Sequence, residues 1–129
     1  MMIVDKVVEV LREDKRILFA YLFGSFVRNK DYANDIDIAV FVKGRIPIGY
    51  ERKLALKIEK NVKMPVDVVV LNDKPLLLIM EVLRTGKLIF SRDERARVKF
   101  ETRMLPLIFD FDELMKEYDR KRLERYGAR

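Results

Sequence analysis

The chain has 129 residues, one domain's worth. Half of them are hydrophobic, enough for a core that buries about two-thirds of the unfolded surface. It contains neither cysteine nor histidine, which excludes disulfides, thiolate or imidazole metal sites, a cysteine nucleophile and an imidazole base. Lys and Arg number 27 against 21 Asp and Glu. The resulting +6 is spread along the chain, favouring phosphate-bearing ligands or acidic partners without implying a nucleic-acid surface.

The opening residues Met1, Met2, Ile3, Val4 and Asp5 lack the basic and apolar regions of a secretory signal. The longest apolar runs, such as Ile17–Phe23, fall far short of a membrane span, so a cytoplasmic protein with no membrane partner is expected.

Residues 3–13 place Ile3, Val7, Val10 and Leu11 at helical spacing and predict a helix. Residues 17–23 read as a buried strand ending at Gly24-Ser25, and residues 35–42 as a second strand closed by a loop containing Gly44 and Pro47. Residues 51–62 form a helix with Leu54, Ala55, Ile58 and Val62 on one side and lysines at 53, 57 and 60, read as a solvated face. A third strand spans 66–71. Pro75 suits the first turn of a helix to about Arg84, stopped by Gly86, and 87–91 is a short strand. From Asp93 the chain is helical, with a break expected at Pro106, which removes a hydrogen bond mid-helix. The order predicts a single α/β (α+β) domain over 1–129, a mixed β-sheet flanked by helices, with 93–129 as a helical C-terminal tail. The site is expected on the sheet face that helices leave uncovered. In the tail, Leu107, Ile108, Phe109 and Phe111 either close the core or make a partner surface, and core is favoured for half of them.

Carboxylates interrupt two of these strands. The period of two puts Asp35, Asp37 and Ala39 on one face of their strand, and Asp67 breaks the otherwise apolar run Val66, Val68, Val69, Val70. Burying unpaired carboxylates is costly unless the pKa rises or a cation is near. Three carboxylates on neighbouring strands would make an all-oxygen site suited to magnesium or manganese. A lone Asp-x-Asp can instead cap a turn, and Asp67 can be an edge-strand residue facing water. Gly24-Ser25 shifts that balance. Its glycine lets the backbone approach a ligand, and the serine hydroxyl with the following N–H groups can bind an anion, a combination coherent with phosphoryl or nucleotidyl transfer.

Gly24-Ser25, nine intervening residues, Asp35-x-Asp37 and a later strand Asp67 resemble the DNA polymerase beta-like nucleotidyltransferase superfamily. The stretch Leu22-Phe23-Gly24-Ser25-Phe26-Val27-Arg28, together with Val82 to Phe90 and the tail around Asp110-Phe111 and Glu117-Tyr118, looks like its minimal nucleotidyltransferase (MNT) branch. The resemblance implies that Asp35 and Asp37 ligate two divalent ions. Asp67 would complete the catalytic-ion site and help draw the proton from the attacking hydroxyl. Gly24 and Ser25 would hold the nucleotide's β- and γ-phosphates. Arg28 falls where the family often has a phosphate-contacting arginine, although a surface salt bridge with Asp31 is an equal reading. Asn29 replaces the usual glycine and is expected to tolerate a left-handed turn.

The MNT branch is similar to antitoxins paired with HEPN-domain toxins. That implies transfer of AMP from ATP, with magnesium or manganese, to a tyrosine of such a partner. The alternatives are an antitoxin that neutralises by binding alone, or nucleotidyl transfer to a small molecule such as an aminoglycoside. Direct nucleic-acid binding is not expected. Tyr32 reads as a packing or solvent-facing loop residue before a base contact, and Lys43, Arg45 and Tyr50 as a conceivable pocket rim.

Overall fold

The computed structural model describes residues 2–127, the side chain of Met2 excepted. In chain order the elements are α1 (Met2–Glu13), β1 (Ile17–Phe23), α2 (Ser25–Arg28), β2 (Ile36–Val42), α3 (Tyr50–Val62), β3 (Val66–Val70), a 3-10 turn (Leu71–Asp73), α4 (Leu76–Thr85), β4 (Lys87–Ser91) and α5 (Glu94–Arg125). Every strand and long helix read from the sequence is present. Two strand boundaries differ: Asp35 lies in the bend before β2, and Leu71 leaves β3 for the 3-10 turn.

The sheet has the order β3-β2-β1-β4, antiparallel except for the parallel pair β2–β3, so the predicted mixed sheet is observed. Ile17, Ala20 and Leu22 of β1 and Ile36, Ile38 and Val40 of β2 point into one core. There they meet Val7 and Leu11 of α1 and Leu54, Ile58 and Val62 of α3, the faces that their 3.6-residue spacing creates. The opposite face is not bare, as the sequence reading expected. Phe19 and Tyr21 are buried on it by strand alternation, and α4 packs against β1 through the apolar side carrying Ile79, Met80 and Val82. The sheet therefore offers no open face for the predicted site.

Side chains manage the sheet's ends and one edge. On edge strand β3, Val66 N–H donates to Glu59 Oε2 (2.9 Å) and Val70 N–H to Glu51 Oε2 (2.7 Å), both carboxylates coming from α3. Asn72 bridges the far end of β2, its Nδ2 donating to Val42 O (2.7 Å) and its Oδ1 accepting from Val42 N–H (3.0 Å). Arg92, just past β4, donates to the carbonyls of Ile17 (3.1 Å), Arg12 (2.8 Å) and Asp14 (3.3 Å). These bonds satisfy backbone groups that the ladders leave over.

The chain divides into two compact units, one up to Arg97 and one from Val98 on. α5 supplies the second and runs unbroken through Pro106. The expected break is absent, since a proline costs a helix one N–H and some crowding but can be carried inside a long one. Ion pairs at helical spacing, Arg120 with Glu117 and Glu124 and Lys116 with Glu113, each add a few tenths of a kcal/mol. Of the apolar run, Ile108 is buried and Phe111 half-buried, while Leu107 and Phe109 are exposed. Successive helical residues point about 100° apart, so half of this run could not turn one way. Among the described residues no helix is long and apolar enough to cross a membrane.

Candidate active site

β1 runs antiparallel to β2, and β2 parallel to β3, so β1 ends where β2 and β3 begin. At that end the register sets Asp37 between Phe23 on β1 and Asp67 on β3. Residues paired across a sheet share a face, so the Asp37 and Asp67 carboxylates emerge side by side. Asp35, two residues earlier, approaches from the bend before β2. The structure thus brings the three predicted aspartates to one end of the sheet. Asp35 and Asp37 are half-buried and Asp67 is exposed, as the edge-strand alternative for Asp67 had it. β3 is an edge strand in which Val66 turns into the core and Asp67 faces water.

Gly24 is the pivot between β1 and α2. Its backbone sits at φ 81°, ψ −157°, a region essentially restricted to glycine. A Cβ there would overlap the Asp37 carboxylate. Backbone therefore lies directly against the central aspartate, with Ser25 as the first residue of α2. The Gly24 carbonyl accepts the N–H groups of Val27 (3.2 Å) and Arg28 (3.4 Å), closing the turn. Arg28 is exposed, and among the described residues its side chain forms no ion pair with Asp31; its charge acts instead on Asp37. Asn29 is extended (φ −159°, ψ 92°), so no left-handed residue is needed where the glycine was expected. Its side chain accepts the Asp31 N–H (3.3 Å).

The electrostatics centre on Asp37, whose pKa is pushed up to about 6. Burial is the first cause, followed by the negative charges of Asp35, Asp67 and Glu81, while Arg28 pulls the other way. Glu81 is the participant that the sequence reading missed. It stands on α4, which packs against β1, and it is the sole acidic residue in a helix of otherwise apolar character, Leu-Leu-Leu-Ile-Met-Glu-Val-Leu-Arg-Thr. That isolation was the available signal.

Among the described residues no group of three or more acidic side chains is arranged to hold a metal ion as it stands. The donor chemistry nevertheless fits a hard divalent cation: the donors are carboxylate oxygens, and burial, with the neighbouring negative charges second, makes Asp37 resist ionisation. Gly24 keeps the space beside that carboxylate clear of a side chain.

The remaining candidates show no contact with these aspartates among the described residues. Tyr32 is exposed in its loop. Lys53, Lys57 and Lys60 are all exposed on α3, as read. Tyr50 is buried and holds α3 to the α1–β1 turn. Its hydroxyl donates to Asp14 Oδ2 (2.6 Å), and the Arg16 guanidinium lies 4.9 Å from its ring centroid. Burial and the Asp14 bond push the Tyr50 hydroxyl's pKa up, so it stays a donor. Tyr50 lines a cavity of about 390 Å³ with Asp14 and Arg16, whose position in β1's approach is the end opposite Gly24. Lys43 and Arg45 do not line it, so the pocket-rim reading holds for Tyr50 alone and at the wrong end for the aspartates.

The fold is shared with chains of solved toxin–antitoxin complexes. One, a toxin–antitoxin with AMP-PNP, is 23% identical with a TM-score of 0.70, covering 96% of this chain and 98% of that one. A second, from the tri-AMPylated Shewanella oneidensis HEPN toxin in complex with MNT antitoxin, is 23% identical with a TM-score of 0.68 and 97% coverage of both chains. A third, the toxin–antitoxin MntA-HepT, is 20% identical with a TM-score of 0.70, covering 94% of this chain and 97% of that one. No curated protein matches the chain. Residues 5–95, which include Gly24, Ser25 and all three aspartates, match the family described as "Polymerase beta, Nucleotidyltransferase", and the chain belongs to that nucleotidyltransferase family.

Proposed function

We propose that this nucleotidyltransferase moves AMP from ATP to a tyrosine hydroxyl of a HEPN-domain partner toxin, acting as its antitoxin. The observation that carries the reading is the junction of Gly24-Ser25 with Asp37 and Asp67: a turn kept free of side chain lies directly against the central carboxylate of a crowded acidic end. Likeness to chains of toxin–antitoxin complexes, one with AMP-PNP and one of a tri-AMPylated HEPN toxin with MNT antitoxin, supports the nucleotide and the acceptor class.

In this reading Asp35, Asp37 and Asp67 hold magnesium or manganese. The metal, when bound, neutralises phosphate charge and lowers the pKa of the acceptor hydroxyl. Ser25 Oγ and the backbone N–H groups after Gly24 hold the β- and γ-phosphates. Arg28 adds a positive charge on the side from which it already acts on Asp37. Asp67, exposed at the sheet edge, helps draw the acceptor's proton as the tyrosine oxygen attacks the α-phosphorus and pyrophosphate departs. No histidine is required.

The test is intact-protein mass spectrometry of the protein encoded next door, incubated with this chain, ATP and magnesium. AMP increments are expected on the neighbour, and none with the Asp35→Asn/Asp37→Asn double variant. Increments that persist in that variant would refute the assignment. A second reading, neutralisation by binding alone, draws on the exposed apolar residues Leu105, Phe109, Leu114 and Leu123 of α5. It requires the same double variant to go on silencing the toxin.

A further inference from the structure

The two edges of the sheet are treated differently. α3 glutamates accept the N–H groups of Val66 and Val70 on β3, whereas among the described residues no side chain bonds the backbone of 87–89 on β4. Lys87 and Leu88, at the start of β4, are exposed on an edge strand. Beside them opens a cavity of about 830 Å³ walled by Ile3 and Val4 of α1, Leu22 of β1 and Phe26 of α2. Its polar lining is cationic only: Arg28, Lys30 and Lys87, with no carboxylate among the lining residues. Among the described residues neither lysine closes an ion pair.

We propose that the open half of β4 and this cavity form a docking groove for an extended acidic segment of a partner protein, added to the sheet as a fifth strand. A free strand edge supplies main-chain hydrogen bonds, and pockets beside it read alternate side chains of the added strand. An incoming strand that alternates carboxylate and aliphatic residues would turn its acids to the cavity side, where Arg28, Lys30 and Lys87 stand, and its aliphatic groups to the opposite side, level with Leu88. Charge decides between occupants. A second copy would bring the same lysines together, and lysine on an edge is a common device against self-pairing. An acidic strand meets no such repulsion. The inference concerns binding alone and stands whether or not AMP transfer is the reaction.

The probe is a fluorescein-labelled, capped hexapeptide alternating glutamate and valine, followed by anisotropy and by amide hydrogen exchange of the intact chain. The variant is Lys30→Glu/Lys87→Glu, two exposed positions whose reversal leaves the core untouched. The expected result is binding to the wild-type protein that weakens as salt is raised, slowed exchange at residues 87–89, and at least a tenfold loss in the variant. A lysine–valine hexapeptide should show the reverse preference, binding the variant over the wild type. Equal binding of the acidic peptide to both proteins, or none at millimolar concentration, would overturn the proposal. So would self-association that the variant abolishes, which makes the occupant a second copy. Binding of dodecyl phosphate in the peptide's place, without protection of 87–89, would reassign the cavity to an amphiphilic anion.

Discussion

Replacing Asp37 by Asn should make the metal-free protein more stable while abolishing its activity. The Asp37 carboxyl ionises near pH 6 in the folded chain against an ordinary value of 3.8, because burial and the charges of Asp35, Asp67 and Glu81 oppose its negative form. A raised folded pKa means that the protonated form favours folding. That contribution is fully present below about pH 4 and is lost as pH rises through about 6. At 1.36 kcal/mol per pH unit the displacement corresponds to about 3 kcal/mol of destabilisation at neutral pH. The group is only half-buried, and solvent screening reduces this to roughly 1–2 kcal/mol. Asn keeps the shape beside Gly24 and removes the charge, so its stabilisation should appear between pH 4 and 6 and level off above. Thermal unfolding at pH 7 should show a rise in Tm of roughly 3–10 °C, vanishing at pH 4. Adding magnesium should narrow the difference by stabilising the wild-type chain selectively. An Asn variant no more stable than wild type at pH 7, or equally stabilised at both pH values, would refute the electrostatic argument.

Gly24→Ala should destabilise by roughly 1–3 kcal/mol or more, from the positive φ and from overlap with Asp37, read in urea unfolding; a neutral effect would contradict the described turn. Tyr50→Phe leaves Asp14 Oδ2 without its donor and should cost about 1–2 kcal/mol, while nucleotidyl transfer at the opposite end stays unchanged. Glu81→Gln removes one of the charges acting on Asp37. A carboxyl carbon-13 titration should therefore find the Asp37 midpoint below about 6, and an unmoved midpoint would take Glu81 out of the site.

The local facts were written in the residue pattern. Alternating Ile36, Ile38 and Val40 against Asp35 and Asp37 sets which side of β2 is apolar, because side-chain period is a property of the strand alone. The spacing of Val7, Val10 and Leu11, and of Leu54, Ile58 and Val62, gives the helix faces in the same way. Gly24-Ser25 with the three aspartates carried the family on motif alone. Long-range order was another matter. The sequence has no local signal for β3 pairing parallel to β2, so it could not say that Asp67 would stand level with Asp37; the lone carboxylate in an apolar strand did suggest an edge strand facing water, which the strand order bears out. Glu81 enters the site because α4 packs on β1, a contact between segments far apart in the chain. The Pro106 break failed for a related reason, since propensity is a local preference that the surrounding helix overrode. Composition and periodicity thus decided the elements and the chemistry available. Strand order and helix packing decided which carboxylates meet, which face water and which edge stays open, because those depend on closing the chain on itself.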